Sequence, residues 1–176
     1  VSASLAATAA ELGVGWVAMH MLGDPRTMQV EPRYDDVVGD VAAFLRERVE
    51  SARAVGVSEV WVDPGIGFGK TTAHNLALLA RLDELVADGA PVVVGTSRKR
   101  SLGVLLARSD AGLVAHPGPV GGTAVFDGPE PVEVGDRSAG SLSTATWAMI
   151  HGAGMVRVHD VGATVRAIAV AMATRE

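Results

Sequence analysis

The side chains that could do chemistry fall into four short stretches, and the richest is residues 60–75, VWVDPGIGFGKTTAHN. An apolar run from Val60 to Val62 ends in a carboxylate, Asp63. Pro64 holds Asp63 extended and keeps the run from continuing as helix. Gly65, Gly67 and Gly69 follow at alternate positions, and then Lys70. A strand that delivers a carboxylate to its own C-terminal tip, beside a backbone almost bare of side chains, suits a ligand that must approach closely. Asp63 has two readings. It caps the amides of the loop behind it, or it accepts paired hydrogen bonds from a flat heterocycle bearing adjacent N–H and NH2 groups. The glycines beside it favour the second, and burial would both strengthen such a pairing and make an unpaired carboxylate costly.

Arg157 and His159 stand two apart in another apolar run, RVHD, so their side chains share a face. An Arg in such a run needs an anion or a carboxylate partner. A forked guanidinium with a donating imidazole beside it would hold a phosphate or pyrophosphate. A salt bridge to Asp160 or a neighbour is the second choice, because Arg157 should point inward with His159. Ser97, Arg98 and Lys99 follow a dry run at 91–94. Lys99 would hydrogen-bond a ring carbonyl or nitrogen, or ease the departure of an anion. As a solvated helix start it would oppose the helix dipole. Phe68 is a lid or simple packing, and Met19 reads as core before contact.

Other chemistries fail on spacing. A phosphate loop through Gly69, Lys70 and Thr71 needs glycine where Pro64 stands, and the dinucleotide pattern meets Lys70 at its third glycine. His20, His74, His116 and His151 lack metal-ligand spacing, and no Ser sits in a nucleophile elbow.

Regular elements must bring these stretches together. Residues 3–12 read as a helix closed by Gly13, and 14–19 as a buried strand ending at His20. After a polar loop at 22–34, Asp35 and Asp36 open a helix whose buried stripe is Val37, Val41, Phe44, Leu45, Val49 and Ala52. Behind the glycine loop a helix opens near His74, carries Leu78, Leu79, Leu82, Leu85 and Val86 on one side, and stops at Gly89. The strand at 91–94 leads into a short helix to about Ala107. Residues 108–137 turn to Gly and Pro with little periodicity, and read as a mobile surface insertion in which Phe126-Asp-Gly-Pro would turn a hairpin. A helix resumes near Ser138, a last strand covers 155–158, and a final helix at 161–174 buries Val165, Ile168, Ala169 and Met172. Apolar strands alternating with helices imply a parallel α/β sheet covered on both faces. All four strand tips carry polar chemistry: His20, Asp63, Ser97 to Lys99, and His159. Convergence at C-terminal tips is the habit of (β/α)8 barrels, which have eight such units in about 250 residues. The pattern here supplies four, half a barrel.

Composition narrows the class. The chain has 176 residues, 48% hydrophobic and only 4% aromatic, which suits one domain with a core of small aliphatic side chains. A net charge of −5 speaks against a nucleic-acid surface. No apolar run approaches the ~20 residues of a membrane helix. The absence of cysteine rules out disulfides and fits a reducing, cytoplasmic setting. Val1 enters a helical pattern at once, as a piece of a longer protein would.

MHMLGDPRTMQ (19–29), DPGIGFGKTTAHN (63–75), GTSRK (95–99) and RVHD (157–160) together resemble the dihydropteroate synthase family, in order and over nearly the whole chain outside the insertion. The resemblance implies a TIM barrel of which this chain is the C-terminal half, strands 5–8, with the insertion at 108–137 inside a single domain at 1–176. It implies a transferase of folate biosynthesis, a sulfonamide target, that joins 6-hydroxymethyl-7,8-dihydropterin pyrophosphate to p-aminobenzoate. By the same resemblance Asp63 pairs with the pterin edge, Met19 lines that pocket and Lys99 contacts the ring. Ser97 and Phe68 lie near p-aminobenzoate, and Arg157 and His159 hold the pyrophosphate, Arg157 also stacking on the ring. Gly67, Gly95 and Val158 complete the implied substrate contacts, and Lys99, Arg157 and His159 are the implied catalytic residues. Mg2+ is expected through the pyrophosphate and a residue of the missing N-terminal half, with no metal ligand in this chain. The intact protein is expected to be a cytoplasmic homodimer, and the piece by itself inactive and prone to self-association through open strand edges. A corrinoid-type pterin methyltransferase domain and a non-catalytic pterin-binding paralogue are the rivals. The pairing of Arg157 with His159 weighs against the first, since it needs no pyrophosphate site.

Overall fold

The computed structural model describes residues 3–112 and 129–174. Four short strands run parallel: β1 (Trp16–Met19), β2 (Val60–Asp63), β3 (Val93–Val94) and β4 (Met155–Val156). Trp16 pairs with Val60 and Met19 with Asp63, so the tips of β1 and β2 end level. A single parallel bridge, Val62 to Val92, joins β2 to β3, and Val93 pairs with Met155 to add β4. The spatial order is therefore the chain order. Among the described residues the strands do not close into a barrel, and β1 and β4 are the edges.

Helices supply the crossovers and the cover. α1 (Ala3–Leu12) precedes β1, and α2 (Val37–Ala54) connects β1 to β2. Asp36 caps α2 by accepting from the Val38 N–H at 3.2 Å, where an anion also meets the positive end of the helix. The stripe expected on α2 is buried except for Phe44, which is half-buried, while Val38 and Ala42 join it. β2 leads to α3 (Thr72–Ala80) and α4 (Leu82–Ala87), and β3 to α5 (Arg100–Asp110). A 3-10 turn (Val134–Arg137) and α6 (Ser138–Ile150) precede β4, and α7 (Val161–Ala173) ends the chain. The core runs between α2, α3, α4 and the strands, built from Val41, Leu45, Val62, Leu78, Leu82, Leu85, Val92 and Val94.

Several expectations need correction. The helix behind the glycine loop begins at Thr72, because Thr71 accepts from the His74 N–H while His74 Nδ1 accepts from the Thr71 N–H, a reciprocal cap. It is two helices, broken at Arg81, whose guanidinium reaches Asp36 at 2.9 Å and Glu84 at 2.6 Å. The break leaves Leu78 and Leu79 on one side and Leu82 and Leu85 on the other all buried. The last two strands are two residues each, shorter than the apolar runs that encode them. α5 continues past Ala107 to Asp110. Phe126-Asp-Gly-Pro lies outside the described residues. α7 departs most: Val165 and Met172 are exposed, Ala169 is exposed and Ile168 is half-buried, with Thr164 the one buried residue of the helix. The helical period was read correctly, but nothing among the described residues covers that face.

Candidate active site

Asp63 sits at the tip of β2, 1% exposed. Its Oδ1 accepts from the Gly65 N–H at 2.8 Å and its Oδ2 from Arg157 Nη2 at 2.8 Å. The loop-cap reading is thus half of the answer. Arg157 lies just past β4 and forms the internal ion pair that was the second choice, its partner the spatial neighbour Asp63. Asp160 is occupied in capping α7 through the Ala163 N–H. Gly95 explains how Arg157 reaches across β3. A Cβ on Gly95 would lie 3.0 Å from Arg157 Nη2, so any larger residue would press on the guanidinium. The side chain of Arg157 is 57% exposed against 2% for Asp63, which leaves the cation with one face free for a ligand.

His159 turns toward the neighbouring tip. Its Nδ1 is 3.0 Å from Ser97 Oγ, and its backbone N–H donates to the same oxygen at 3.3 Å. Ser97 Oγ thus holds both the ring and the backbone of His159, and fixes the imidazole beside the tip of β3.

Lys99 follows a strained residue. Arg98 has φ +61, a left-handed conformation unusual for a side chain that large. Ser141 Oγ accepts its N–H at 3.0 Å and Arg137 Nη1 donates to its carbonyl at 3.0 Å, so α6 and the 3-10 turn hold it there. Lys99 Nζ then lies 4.1 Å from the centre of the Phe68 ring, a cation–π distance. Burial lowers the Lys99 pKa and Arg157 lowers it further, against a pull upward from Asp63. A Cβ on Gly67 would press on Lys99 Cδ at 3.3 Å, so that glycine makes room for the lysine.

The glycine loop is sewn to the segment after β1. Gln29 Nε2 donates to the Gly67 carbonyl at 2.6 Å, Tyr34 Oη to the Gly69 carbonyl at 2.8 Å, and the Gly67 N–H to Asn75 Oδ1 at 2.8 Å. Gly65 has φ +68, and a Cβ there would overlap the His20 carbonyl oxygen. Beneath the loop Lys70, 3% exposed, meets His20 Nδ1 at 2.8 Å. Burial pulls Lys70 down to about 7, with Asp63 pulling it up. Burial, and then the Lys70 charge, pull His20 down to about 4. Tyr34 is pushed up to about 12 by burial and by Asp40.

Of the residues singled out from sequence, Asp63, Gly95 and Arg157 are brought into one contact set, Ser97 and His159 into a second, and Gly67, Phe68 and Lys99 into a third. Met19 is half-buried beside Asp63 by register, and Val158 is half-buried between Arg157 and His159. Lys70, Gln29, Tyr34, Asn75, Arg137 and Ser141 were missed. Only Lys70 carried a signal: it directly precedes the Thr71 cap, so the dipole argument applied to Lys99 applies to it as well. Among the described residues no group of three or more His, Asp or Glu side chains is placed to hold a metal ion. No helix there is long and apolar enough to cross a membrane.

The profile of the family described as pterin binding enzyme matches residues 2–159. Dihydropteroate synthase of Mycobacterium leprae is 42% identical over 174 residues, covering 95% of this chain and 54% of the relative. That of Escherichia coli K12 is 39% identical over 168 residues, covering 94% and 51%. The chain thus spans about half the length of the curated relatives it matches. Thermus thermophilus dihydropteroate synthase, solved with 4-aminobenzoate and with 6HMPPP, superposes with a TM-score of 0.80 at 39% identity, over 99% of this chain and 62% or 61% of that one. With most of its length inside the family's profile and its fold superposing on such an enzyme, this chain belongs to the pterin-binding enzyme family.

Proposed function

We propose that this chain is the C-terminal half of a dihydropteroate synthase, and that the intact protein joins 6-hydroxymethyl-7,8-dihydropterin pyrophosphate to p-aminobenzoate. The observation that carries the reading is the buried Asp63 carboxylate with the half-exposed Arg157 guanidinium 2.8 Å away. It sets an acceptor for a pterin edge beside a cation for a departing anion. The four tips read as strands 5–8 of a (β/α)8 barrel whose remaining strands would pair with the open edges of β1 and β4. The Thermus complexes with 4-aminobenzoate and 6HMPPP support the substrate assignment.

In this reading Asp63 accepts from the aminopyrimidinone edge of the pterin, with Met19 and Gly95 lining the same layer. Lys99 reaches the ring, Phe68 and Gly67 border the arylamine, and Ser97 works through His159. The C–O bond of the pterin methylene breaks with its electron pair going to the pyrophosphate. Arg157, His159 and the backbone at Val158 hold that anion, so the leaving group is stabilised as its charge grows. The cation left behind spreads into the pterin, where the Asp63 carboxylate stabilises it. The p-aminobenzoate nitrogen then attacks the methylene carbon and releases a proton.

Asp63, the carboxylate of the site, is engaged by Gly65 and Arg157. No group of three or more His, Asp or Glu among the described residues is placed to hold a metal ion. The proposed Mg2+ would be held by the substrate's pyrophosphate and by the N-terminal half, and no step is assigned to it. A cytoplasmic homodimer is part of the proposal. The exposed apolar side chains Trp147, Val165, Val170 and Met172 on α6 and α7 support the association, and the absence of cysteine the compartment. A single domain over 1–176, with 108–137 as an insertion in its sequence, is likewise part of the proposal.

The test is titration of the full-length protein with 6-hydroxymethylpterin and with pyrophosphate, together with an assay for dihydropteroate. Binding of both ligands and product formation is the expected result. Pterin binding without any pyrophosphate affinity would point instead to a methyl-transferring or non-catalytic relative. The 176-residue chain by itself should make no dihydropteroate at an ordinary enzymatic rate.

A further inference from the structure

Lys70 has no part in the ligand contacts above, yet it is 3% exposed and its ammonium is fully engaged. Nζ lies 2.8 Å from His20 Nδ1, 3.1 Å from the Gly65 carbonyl and 3.1 Å from the Phe68 carbonyl. An ammonium donating to all three satisfies these contacts, as does a neutral amine that gives its two hydrogens to the carbonyls and its lone pair to a His20 Nδ1–H. The Asp63 carboxylate favours the ammonium, for which His20 Nδ1 accepts and its ring hydrogen stands on Nε2. The two carbonyls are the ends of one turn: the Phe68 N–H donates to the Gly65 carbonyl at 3.0 Å, and Gly67, the third residue of that turn, has φ +81. The third acceptor is the residue that follows β1, and His20 is itself wedged against Phe44, ring centres 5.0 Å apart.

From this geometry we propose that Lys70 is a positioning residue. Its ammonium fastens the 65–68 turn to the end of β1 and so sets Asp63, Gly67 and Phe68 at the height a bound pterin needs. Gln29 and Asn75 also grip the turn, at Gly67, and Tyr34 holds Gly69, but none of these three bonds reaches the turn's ends at Gly65 and Phe68. Lys70 bridges from the loop to β1 and is joined to Asp63 by charge. Burying a lysine is costly unless its charge is matched, so the position earns its cation only by what those three bonds hold in place. The ligand half of the inference rests on the reading under Proposed function.

The chain contains no cysteine, which allows a selective test. Lys70→Cys is prepared, and half of it is aminoethylated in denaturant before refolding, restoring a lysine-shaped ammonium. Amide hydrogen exchange is followed at Gly67 and Phe68, and affinity is measured with 6-hydroxymethylpterin. In the unmodified variant, exchange at the two loop amides should rise at least about tenfold while α2 and α5 stay as protected as before. Pterin affinity should fall about 10- to 100-fold, the usual range for a supporting shell. Aminoethylation should return both to within about threefold of the unsubstituted protein. Unchanged loop protection, or no recovery on aminoethylation, overturns the proposal, as does a uniform loss of protection across the fold. Should Lys70→Cys not fold, the unsubstituted protein decides by nitrogen NMR. A slowly exchanging Lys70 ammonium with an accepting His20 Nδ1 supports the proposal, and a protonated Nδ1 overturns it. Loop release without pterin binding by any form leaves the positioning intact and refutes the pterin assignment.

Discussion

Asp63→Asn separates the two jobs of one carboxylate. In the protein it is 1% exposed and accepts one bond from Gly65 and one from Arg157, each at 2.8 Å. Asn keeps a carbonyl oxygen for the Gly65 N–H but turns an NH2 donor toward the guanidinium. Breaking a fully buried ion pair costs roughly 3–5 kcal/mol. Here the Arg157 side chain is 57% exposed and can turn into water, so the fold should lose only about 1 kcal/mol. A pterin fares differently. It would present two donors to a group that is no longer an anion and offers only one acceptor. Two hydrogen bonds to a charge are worth about 1.5–3 kcal/mol each, together roughly 3–6 kcal/mol. At 1.4 kcal/mol per decade that is about a 10²- to 10⁴-fold loss of affinity. Calorimetric titration with 6-hydroxymethylpterin, on the preparation whose thermal unfolding has been recorded, reads both numbers. A native fold with less than a tenfold loss would show Asp63 to be a loop cap alone, and the ligand argument would fall with it.

Three further outcomes are expected. The folded pKa of His20 is held down to about 4, below the ordinary 6.5 of the unfolded chain, so the fold binds fewer protons and stability falls as pH drops from about 6.5 toward 4. The His20 share of that loss is roughly 2–3 kcal/mol at most, read as the difference in urea midpoints between pH 7 and pH 4.5 for the protein and for His20→Gln; equal pH slopes in the two would refute it. Gly65→Ala combines φ +68 with a Cβ overlapping the His20 carbonyl and should cost more than about 3 kcal/mol or prevent folding, whereas Gly135→Ala meets no atom within 4 Å and should stay within about 0.5 kcal/mol in denaturant unfolding. Ser97→Ala frees the His159 ring and should weaken inorganic pyrophosphate about three- to tenfold while leaving pterin affinity unchanged, as separate titrations would show.

What could be read in the chain by itself is what depends on neighbours a few residues apart. Asp63 before Pro64, the glycines at 65, 67 and 69, and the stripe Val37, Val41, Leu45, Val49 and Ala52 each impose a local conformation through sterics or periodicity, and each stands where it was expected. The placing of Asp63 at the tip of β2 follows from the same logic, whereas β4 stops at Val156, two residues short of the run that encodes it. The partners of those residues are another matter. Arg157 and Asp63 lie 94 positions apart, and their contact depends on a parallel register and on Gly95 having no side chain between them. Lys70 drew no role from the sequence, because its partners are the end of β1, 50 positions back, and a turn of its own loop. α7 has the period of a buried helix, yet its apolar face is bare, because period says which side chains align and not what packs on them. Torsions and periodicity are properties of a short segment, whereas contact and burial belong to pairs of segments, and only the folded sheet brings those pairs together.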